Sequence, residues 1–493
     1  MPSSNRTQVA SVRETILGTT PASPRTRARR TSGEGLKWVP TFVDSEEFRS
    51  DRMNAPPIKT GEESNGDIKF ELSYPWPDSP ASVDIESAFY NAWNNTPAFD
   101  NDLVADSVIT DAGTTASTFA VAAGGAAVLV GHLLRSTGLA NLANNQVFRA
   151  SASTATTIVG ASGLVAEAIP PGLARLKVVG IQGAASDIST TATGLATVAL
   201  DFTTFPELVP GRWMKIGGAA AVDKFATLGV NDFVRIVSVA AKAIVLDNRP
   251  TAWAVDAGTG KTIKLWIGDQ IKNGVTQISQ TIEKGFLGQV TPTFIKQPGM
   301  VVSSFSMDWT AKAKITGDVT FAGMTGASQD TNSLDTLPDA TTSLTGFPVM
   351  ACSANVGRMA ENGIQVAAPN FVKALTFSID NAITPIEAVD SMGAAGLTGH
   401  SCKVTGNINT FFGDNTYLTK FFAGTPTSLN IRAAKLGRAV VMTFPQITFN
   451  GNGSPNAGGI DQDVMLPLAW KASKDEAITN AMILMDRFEY YEI

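Results

Sequence analysis

The residues best suited to chemistry in this 493-residue chain are scarce and far apart. The chain has two histidines, His132 and His400, and two cysteines, Cys352 and Cys402. A Ser-His-Asp triad would need one of these histidines, and a zinc site with two histidine ligands would need both. His132 lies in an apolar, strand-like run and His400 follows a turn, so we interpret both as structural. The widely spaced cysteines, with no Cys-x-x-Cys pair, cannot build a disulfide framework or a thiolate metal cluster.

One segment is similar to the end of a phosphate-binding loop. Residues 258–262 read Gly-Thr-Gly-Lys-Thr. A Walker motif needs a glycine five residues before Gly260, where this chain has Val255, and then a helix whose N–H groups bind phosphate. The residues that follow, 263–267, alternate between polar and apolar as a strand does. We therefore predict a hairpin turn at this position.

Carboxylates cluster at Glu46 and at Asp461 with Asp463, and such pairs can serve metal sites or glycosidases. Neither cluster lies in a recognisable loop motif. Residues 46–52 mix acidic and basic side chains, a pattern typical of exposed or inter-subunit ion pairs worth about 0–1 kcal/mol each. We interpret both clusters as surface charge and expect no enzymatic activity, metal or cofactor. An all-β hydrolase that uses Glu46 or Asp461 is the less favoured alternative.

Size and charge indicate a large protein whose surface meets other protein. The length corresponds to about three domains of 150 residues. Charged residues make up 17% of the chain, against about 25% in ordinary soluble domains. Residues 1–35 lack the apolar core of a signal peptide, and the longest apolar stretch, 119–134, is shorter than the roughly 20 residues that cross a bilayer. We expect no membrane span.

Residues 1–35 are predicted to form an extended basic arm. Their Pro, Ser, Thr and Gly content leaves too little apolar surface for independent folding. Through Lys37 the chain carries seven basic and two acidic residues, so this end has a net charge of +5 and the remainder −11. The central arginines of the arm are Arg25, Arg27, Arg29 and Arg30. They could bind nucleic acid or the acidic body of a neighbouring copy, and the lack of interleaved aromatic residues favours the neighbouring copy.

From Gly35 onward the pattern is that of a β protein, with Val-, Ile-, Thr- and Phe-rich runs between Gly, Asn and Asp turns. Two short helices are predicted. Residues 83–93 place Ile85, Phe89 and Trp93 on one face, with acidic residues in the first turn. Residues 416–422 are the second predicted helix.

A short block recurs three times along the chain. Its copies are Gly66-Asp67-Ile68-Lys69-Phe70, Gly317-Asp318-Val319-Thr320-Phe321, and Gly406-Asn407-Ile408-Asn409 leading to Phe411. Each reads as a turn-forming glycine pair followed by the alternation of a half-buried strand. We predict three related strand pairs in one sheet system.

A longer repeat lies between the first two copies of that block. The matching segments are 131–138 with 211–218, 145–149 with 231–235, and 176–179 with 263–266. A period of about 80–87 residues predicts two tandem small β domains, 108–183 and 184–270. They would interrupt a host domain formed by 36–107 and 271–493.

Several segments, taken in order, resemble a known family. They are 14–21, 36–38, 44–52 and 65–74 near the amino end, 282–286, 299–307 and 315–323 after the insert, and 377–381, 404–408, 444–447 and 461–465 near the carboxyl end. Together they cover residues 10–95 and 275–493, and they resemble the phage tail tube proteins (major tail proteins) of bacteriophages with long, non-contractile tails. The inserted segment is where this sequence departs from the pattern.

The resemblance implies a mainly β fold, a β-sandwich or barrel core with one or two short helices. It implies hexameric rings stacked into a tube through which genomic DNA passes without specific binding. It also implies contacts with tape measure, tail terminator and tail tip proteins, assembly in the host cytoplasm and a place in the virion tail. The three blocks would supply tube strands. A capsid decoration protein or a tail protein that binds the host surface through the inserted domains is the alternative.

The polarised charge suits a DNA conduit. DNA carries one negative charge per about 1.7 Å of duplex axis, so a basic lining would bind it whereas an acidic or polar lining lets it slide. We expect the side chains that face the channel to be mainly acidic or polar.

Overall fold

A computed structural model describes residues 6–490 except 49, 52, 78, 102–107, 169, 326–327, 336–346 and 452. Arg49 and Arg52 of the mixed-charge segment and the domain boundary predicted at residue 107 lie outside the described residues. The described chain is mainly β with short helices, which confirms the predicted fold class. None of its helices is long and apolar enough to cross a membrane.

The elements follow one another in three stretches. The first contains β1 (Thr7–Arg13), β2 (Arg27–Ala28), β3 (Gly33–Glu34), β4 (Lys37–Val43), β5 (Ile58–Glu71), α1 (Pro80–Phe89) and β6 (Ala98–Asp100). The second contains β7 (Ile109–Ala112), β8 (Thr118–Val121), β9 (His132–Thr137), β10 (Val147–Arg149), β11 (Ala152–Ser153), β12 (Thr157–Val159), β13 (Arg175–Gln182), β14 (Ile188–Thr190), β15 (Gly194–Thr197), β16 (Trp213–Ile216), β17 (Phe233–Ala240), β18 (Ala243–Asp247) and β19 (Lys264–Ile267). The third contains β20 (Asp269–Lys272), β21 (Gln280–Phe286), β22 (Thr293–Thr310), β23 (Thr316–Gly323), β24 (Ser328–Asp330), α2 (Cys352–Asn355), β25 (Val356–Glu361), β26 (Ile364–Gln365), β27 (Val372–Asp380), β28 (Thr384–Ile386), β29 (Gly396–Thr398), β30 (Lys403–Phe411), α3 (Thr416–Ala423), β31 (Thr427–Lys435), β32 (Arg438–Asn450), β33 (Met465–Ala472) and β34 (Leu484–Glu489).

A run of eight antiparallel strands is the centre of the largest sheet. Its order is β4, β5, β23, β22, β27, β30, β33 and β32. In β27, β33 and the second half of β22 every second residue is buried, because successive side chains of a strand point to opposite faces. Ile68 in β5, Phe305 in β22 and Phe377 in β27 are no more than 2% exposed. This face packs against α1 and the outer strands to form the main core.

The three repeated blocks lie in β5, β23 and β30 of this sheet, but the turn predicted at their glycines is wrong. Each glycine lies within a strand. Gly317 is opposite Phe70 and Gly406 is opposite Trp470. A Cβ atom on either glycine would lie 2.3 Å from an atom of the facing ring. Gly317 and Gly406 are therefore strand residues that make room for aromatic rings, whereas a Cβ atom on Gly66 would meet the backbone of residues 35 and 36.

The helices lie near the predicted segments. α1 begins at Pro80, three residues earlier than predicted, because the Ser79 side chain accepts a hydrogen bond from the Ser82 N–H and proline fits the first helical turn. It ends at Tyr90, which has a left-handed backbone, so Trp93 lies beyond the helix. α3 contains all of the second predicted helix and ends at Gly424, also left-handed.

The strands between residues 98 and 267 form two further sheets. One has the order β10-β9-β13-β19-β16-β17-β18-β15-β14, with β6 beside β13, and the other is β11-β12-β8-β7. Residues 259–260 form a turn and β19 follows, which confirms the turn, but β19 pairs with β13 and β16 and not with the segment before the turn, so the predicted hairpin is wrong. The larger of these two sheets packs on β32 and β34. Trp213, Phe233 and Trp266 contact Val441 and Phe488, on the side of β32 opposite the main core.

Candidate assembly surfaces

The second face of the eight-strand run is polar. Its hydroxyl and amide side chains are Ser304, Ser306, Thr316, Thr320, Thr376, Ser378, Thr405 and Asn407. Its charged side chains are Glu63, Asp67, Glu71, Asp308, Asp318, Asp380, Lys37, Lys69, Lys403 and Lys471. Six acidic and four basic residues give this face a net charge of −2.

The polar face is concave. It encloses a hollow of about 820 Å³ that is lined both by Ser32, beside β5, and by Asn450, at the end of β32. One row across the strands runs from Lys69 through Asp318 to Ser306. Burial and the nearby Asp67 carboxylate raise the pKa of Asp318. Hydroxyl and amide side chains predominate in the lining of the hollow, and Lys69, Asp308 and Asp318 are its charged members.

The basic arm lies on its own chain. β1 pairs with β21 over all seven of its residues. Buried Glu14 then accepts hydrogen bonds from the Gly18 and Gly299 backbone N–H groups, both 2.9 Å, and from the Ser279 and Thr281 hydroxyls, both 2.7 Å. The arm cannot fold alone, and it obtains from β21 and β22 the partners that its own sequence lacks.

The four arm arginines have different surroundings. Arg29, with a side chain 3% exposed, donates to both carboxylate oxygens of Asp84, at 2.6 and 2.8 Å, and to Gln280 at 2.6 Å. Arg30 donates to the Phe347 carbonyl. Arg25 and Arg27 line a half-open hollow near α1. The contact of these arginines with a neighbouring copy stays a prediction.

The hairpin of β4 and β5 exposes large apolar side chains, a feature that sequence reasoning missed. Trp38 is 40% exposed, and Phe42 and Ile58 are each more than half exposed. Phe48 and Met53, in the connection between the strands, are also exposed. Exposed apolar patches mark interaction surfaces. The signal in the sequence was the run Lys37 to Val43, apolar on both strand faces.

Buried ion pairs join the inserted sheets to the large sheet. Asp269 in β20 accepts from Lys177 of β13 at 2.6 Å and from Arg487 of β34 at 2.9 Å. Burial favours the neutral carboxyl, but the two cations outweigh it and lower the pKa of Asp269. Glu489 lies near Arg135 and Arg175, at 3.2 and 3.7 Å. These buried pairs, with the aromatic contacts above, attach the insert firmly.

Two carboxylates at this junction, Glu489 and Asp486, have pKa values that are shifted in opposite directions. Burial opposes ionisation of Glu489, yet Arg175 and Arg135 lower its pKa to about 2. For Asp486 burial prevails over the attraction of Arg212 and raises the pKa to about 7. Asp486 accepts from the Gln270 side chain at 3.0 Å.

The two histidines contact neighbouring protein groups, and the residues of the acidic clusters are exposed. Buried His132 accepts from the Leu129 N–H through Nδ1 at 2.8 Å, and its Nε2 lies 3.4 Å from Glu207. The ring of His400 lies 2.9 Å from the Thr384 hydroxyl. Asp461 and Asp463 are exposed, as is Glu46.

Comparison with known families gives one result. Residues 4–472 match the family model described as "Phage tail tube protein". The match spans the arm, the eight-strand run and the inserted sheets. No curated protein matches the sequence.

Proposed function

Because the chain belongs to the phage tail tube protein family, we propose that its copies close into rings with six-fold architecture that stack as the tail tube, the conduit for genome ejection. The family supports a structural role in the virion tail. The finer steps are part of the proposal: assembly in the host cytoplasm around a tape measure protein, and contacts with tail terminator and tail tip proteins at the two ends of the tube.

The concave polar face of the eight-strand run carries the proposal. Sheets with open edges pair without control unless closure removes the edges. Head-to-tail contacts between copies close when their rotation permits, and stacked rings then form a filament. In such a ring the concave face lies inside and lines the channel. Obligate interfaces of this kind bury on the order of 2,000 Å² or more, which suits the 17% of charged residues.

The side chains of this face suit passage of DNA without specific binding. A protein that neutralises phosphates gains affinity by releasing counterions. Here the four lysines are outnumbered by six acidic residues, and Lys69 faces Asp318 directly across the strands. The remaining side chains are mostly hydroxyls and amides. DNA therefore meets a lining that offers weak, interchangeable hydrogen bonds.

We propose that 108–183 and 184–270 are two copies of one small β domain on the outside of the tube. The order β9, β10, β13 matches the order β16, β17, β19, and the copies join where β13 pairs with β19. Asn145 binds the backbone of residues 139 and 141, and Asn231 binds that of 225 and 227 in the same way. Their contact with β32 and β34 faces away from the polar surface.

Electron microscopy of the purified chain tests the tube. We expect hollow fibres with a regular axial repeat. Dispersed monomers at high protein concentration would contradict the proposal.

A lysine row tests the channel lining. In S306K/S378K/T405K three adjacent strands place cations across the proposed lining, and we expect virions carrying it to release DNA more slowly, with the delay relieved by salt. The matched control A152K/T156K/S162K adds the same charge to the inserted sheets and should release DNA normally. Equal release by both variants, each with intact tubes, would show that the polar face does not line the channel.

A further inference from the structure

The eight-strand run, together with β21 and β31, contains the same arrangement twice. In the first half the pairing order is β4-β5-β23-β22-β21, with α1 after β5. In the second half it is β27-β30-β33-β32-β31, with α3 after β30. We call these sets of strands, with their helices, the first and second tube units; β3 continues the line of β4 along β5 and belongs to the first.

The two units also agree in register. Gln280 faces Met300 and Ile282 faces Gln297, so the β21–β22 hairpin has a bulge. The β31–β32 hairpin has the same bulge between the pairs 427–447 and 429–444. Gly66 faces an aromatic ring of β23, and Gly406 faces one of β33. These matches make Met300 of the first unit equivalent to residue 447 of the second, and residue 66 of the first equivalent to residue 406 of the second.

A strand pairing joins the two units within the chain. Ser304–Thr310 of β22 pairs with Ala374–Asp380 of β27. In the equivalent positions, the outgoing edge of the second unit lies after β32, where the structure describes residues 451 and 453–457. The incoming edge of the first unit is residues 33–39 in β3 and β4.

Both equivalent edges are open. Within the described part of the chain, β4 pairs with β5 and has no strand on its other side. The continuation of β32 still runs beside β33, since Asn456 and Met465 exchange backbone hydrogen bonds of 2.8 and 3.0 Å. Its described residues from Ser454 to Ala457 are exposed. On the other side of this segment is a place equivalent to the one that β27 occupies beside β22 in the first unit.

Exposure of apolar side chains distinguishes the filled edge from the open one. Ile379 in β27 lies at the internal junction and is 0% exposed. Trp38 holds the equivalent place in β4 and is 40% exposed. An apolar side chain at a strand position that is buried in the companion unit indicates a missing neighbour. The occupant with the right strand geometry is the free end of β32 from a second copy of this chain.

We propose that each chain supplies two of the six positions in the ring, so that three chains close it by pairing residues 33–40 of one copy with 450–457 of the next. This inference rests on the proposed tube function. Three chains give 24 strands, and with strands about 4.8 Å apart and tilted about 40° the barrel is about 50 Å across between backbones. Six chains would double that diameter, far beyond what one DNA duplex needs.

A thiol cross-link across the proposed junction tests both the surface and the number of chains. Pro40 and Asn450 are the predicted partners, equivalent to residues 381 and 303, which are joined by a 2.9 Å backbone hydrogen bond. P40C/N450C is made with Cys352 and Cys402 replaced by serine, and assembled tubes are treated with a short bifunctional thiol reagent. We expect a ladder of linked chains that ends at three. The control P40C/V245C, with its second thiol in the inserted sheets, should stay monomeric.

The outcomes separate this inference from the tube function. A ladder that ends at six, or tubes without any cross-link, would overturn the three-chain ring and leave the tube proposal intact. If the unmodified chain forms no tubes, the tube proposal itself fails. Should the cysteine variant not assemble, cryo-electron microscopy of unmodified tubes decides: three-fold symmetry with two alternating units supports the inference, and strict six-fold symmetry with one whole chain per position overturns it.

Discussion

Gly406 lies directly opposite Trp470, and the indole ring occupies the space that a side chain on the glycine would need. A Cβ atom there would lie 2.3 Å from the ring and 2.4 Å from the Thr376 carbonyl oxygen. Because one neighbour is backbone, the strand cannot adjust by side-chain rotation alone. Gly406→Ala is expected to lower the free energy of unfolding by about 1–3 kcal/mol, measured by urea denaturation of the unassembled chain.

Gly61→Ala is the matched control for that substitution. Gly61 also lies in a strand of the large sheet, but a Cβ atom there would have its nearest neighbour at 3.5 Å, an ordinary contact. The free energy of unfolding of Gly61→Ala should be equal to that of the unmodified chain or slightly higher. Equal destabilisation by the two alanines would mean that the ring does not set the requirement for glycine at 406.

The ion cluster at Asp269 is expected to be essential for stability. Asp269→Ala leaves Lys177 and Arg487 buried without their shared carboxylate, and breaking a buried pair in this way costs about 3–5 kcal/mol. Thermal or urea unfolding measures the loss. Lys59→Ala is the comparison, because Lys59 pairs with Glu62 near the surface and such pairs are worth about 0–1 kcal/mol. Similar small losses in both variants would contradict a buried cluster.

Asp486 makes stability depend on pH. Its pKa is raised from 3.8 to about 7, so between these values the folded chain binds a proton that the unfolded chain has released. The free energy of unfolding should therefore fall as pH rises from about 4 to about 7, and remain reduced above that. Asp486→Asn should remove this fall.

Thermal unfolding between pH 5 and pH 8 measures the effect of Asp486. Glu489 acts in the opposite sense but at lower pH: its pKa of about 2 adds stability above 4.5 that is lost as pH falls through 2. The chosen window thus separates the effect of Asp486 from that of Glu489. An equal pH dependence in the asparagine variant and the unmodified chain would assign the effect to other groups.

Arg29→Met distinguishes a contact within the chain from one between subunits. The bidentate pair with Asp84 is buried, so its loss should destabilise the unassembled chain by about 3–5 kcal/mol. Unfolding measurements and electron microscopy are made on the same preparation. If unassembled stability were unchanged while tubes were lost, Arg29 would act between copies.

The sequence alone determined the features that depend on local pattern. Alternating side chains identified the strands that contain Ile68, Val319 and Ile408, and the segment after residue 415 identified a helix. The period of the longer repeat predicted two inserted domains, and the order of short segments indicated the family. These features follow from the periods of strands and helices, which each stretch of chain expresses by itself.

The tertiary structure decided everything that depends on which strands meet. Gly317 and Gly406 have the local appearance of turn residues, and only the aromatic rings across the sheet make them strand residues. Asp269 finds its cations 92 and 218 positions away, where no local pattern could indicate them. Likewise the edge at residues 33–40, which we propose pairs with a second copy, exists only once the other described strands have paired. Pairing register depends on contacts distant in sequence, so such an edge is set by the fold as a whole.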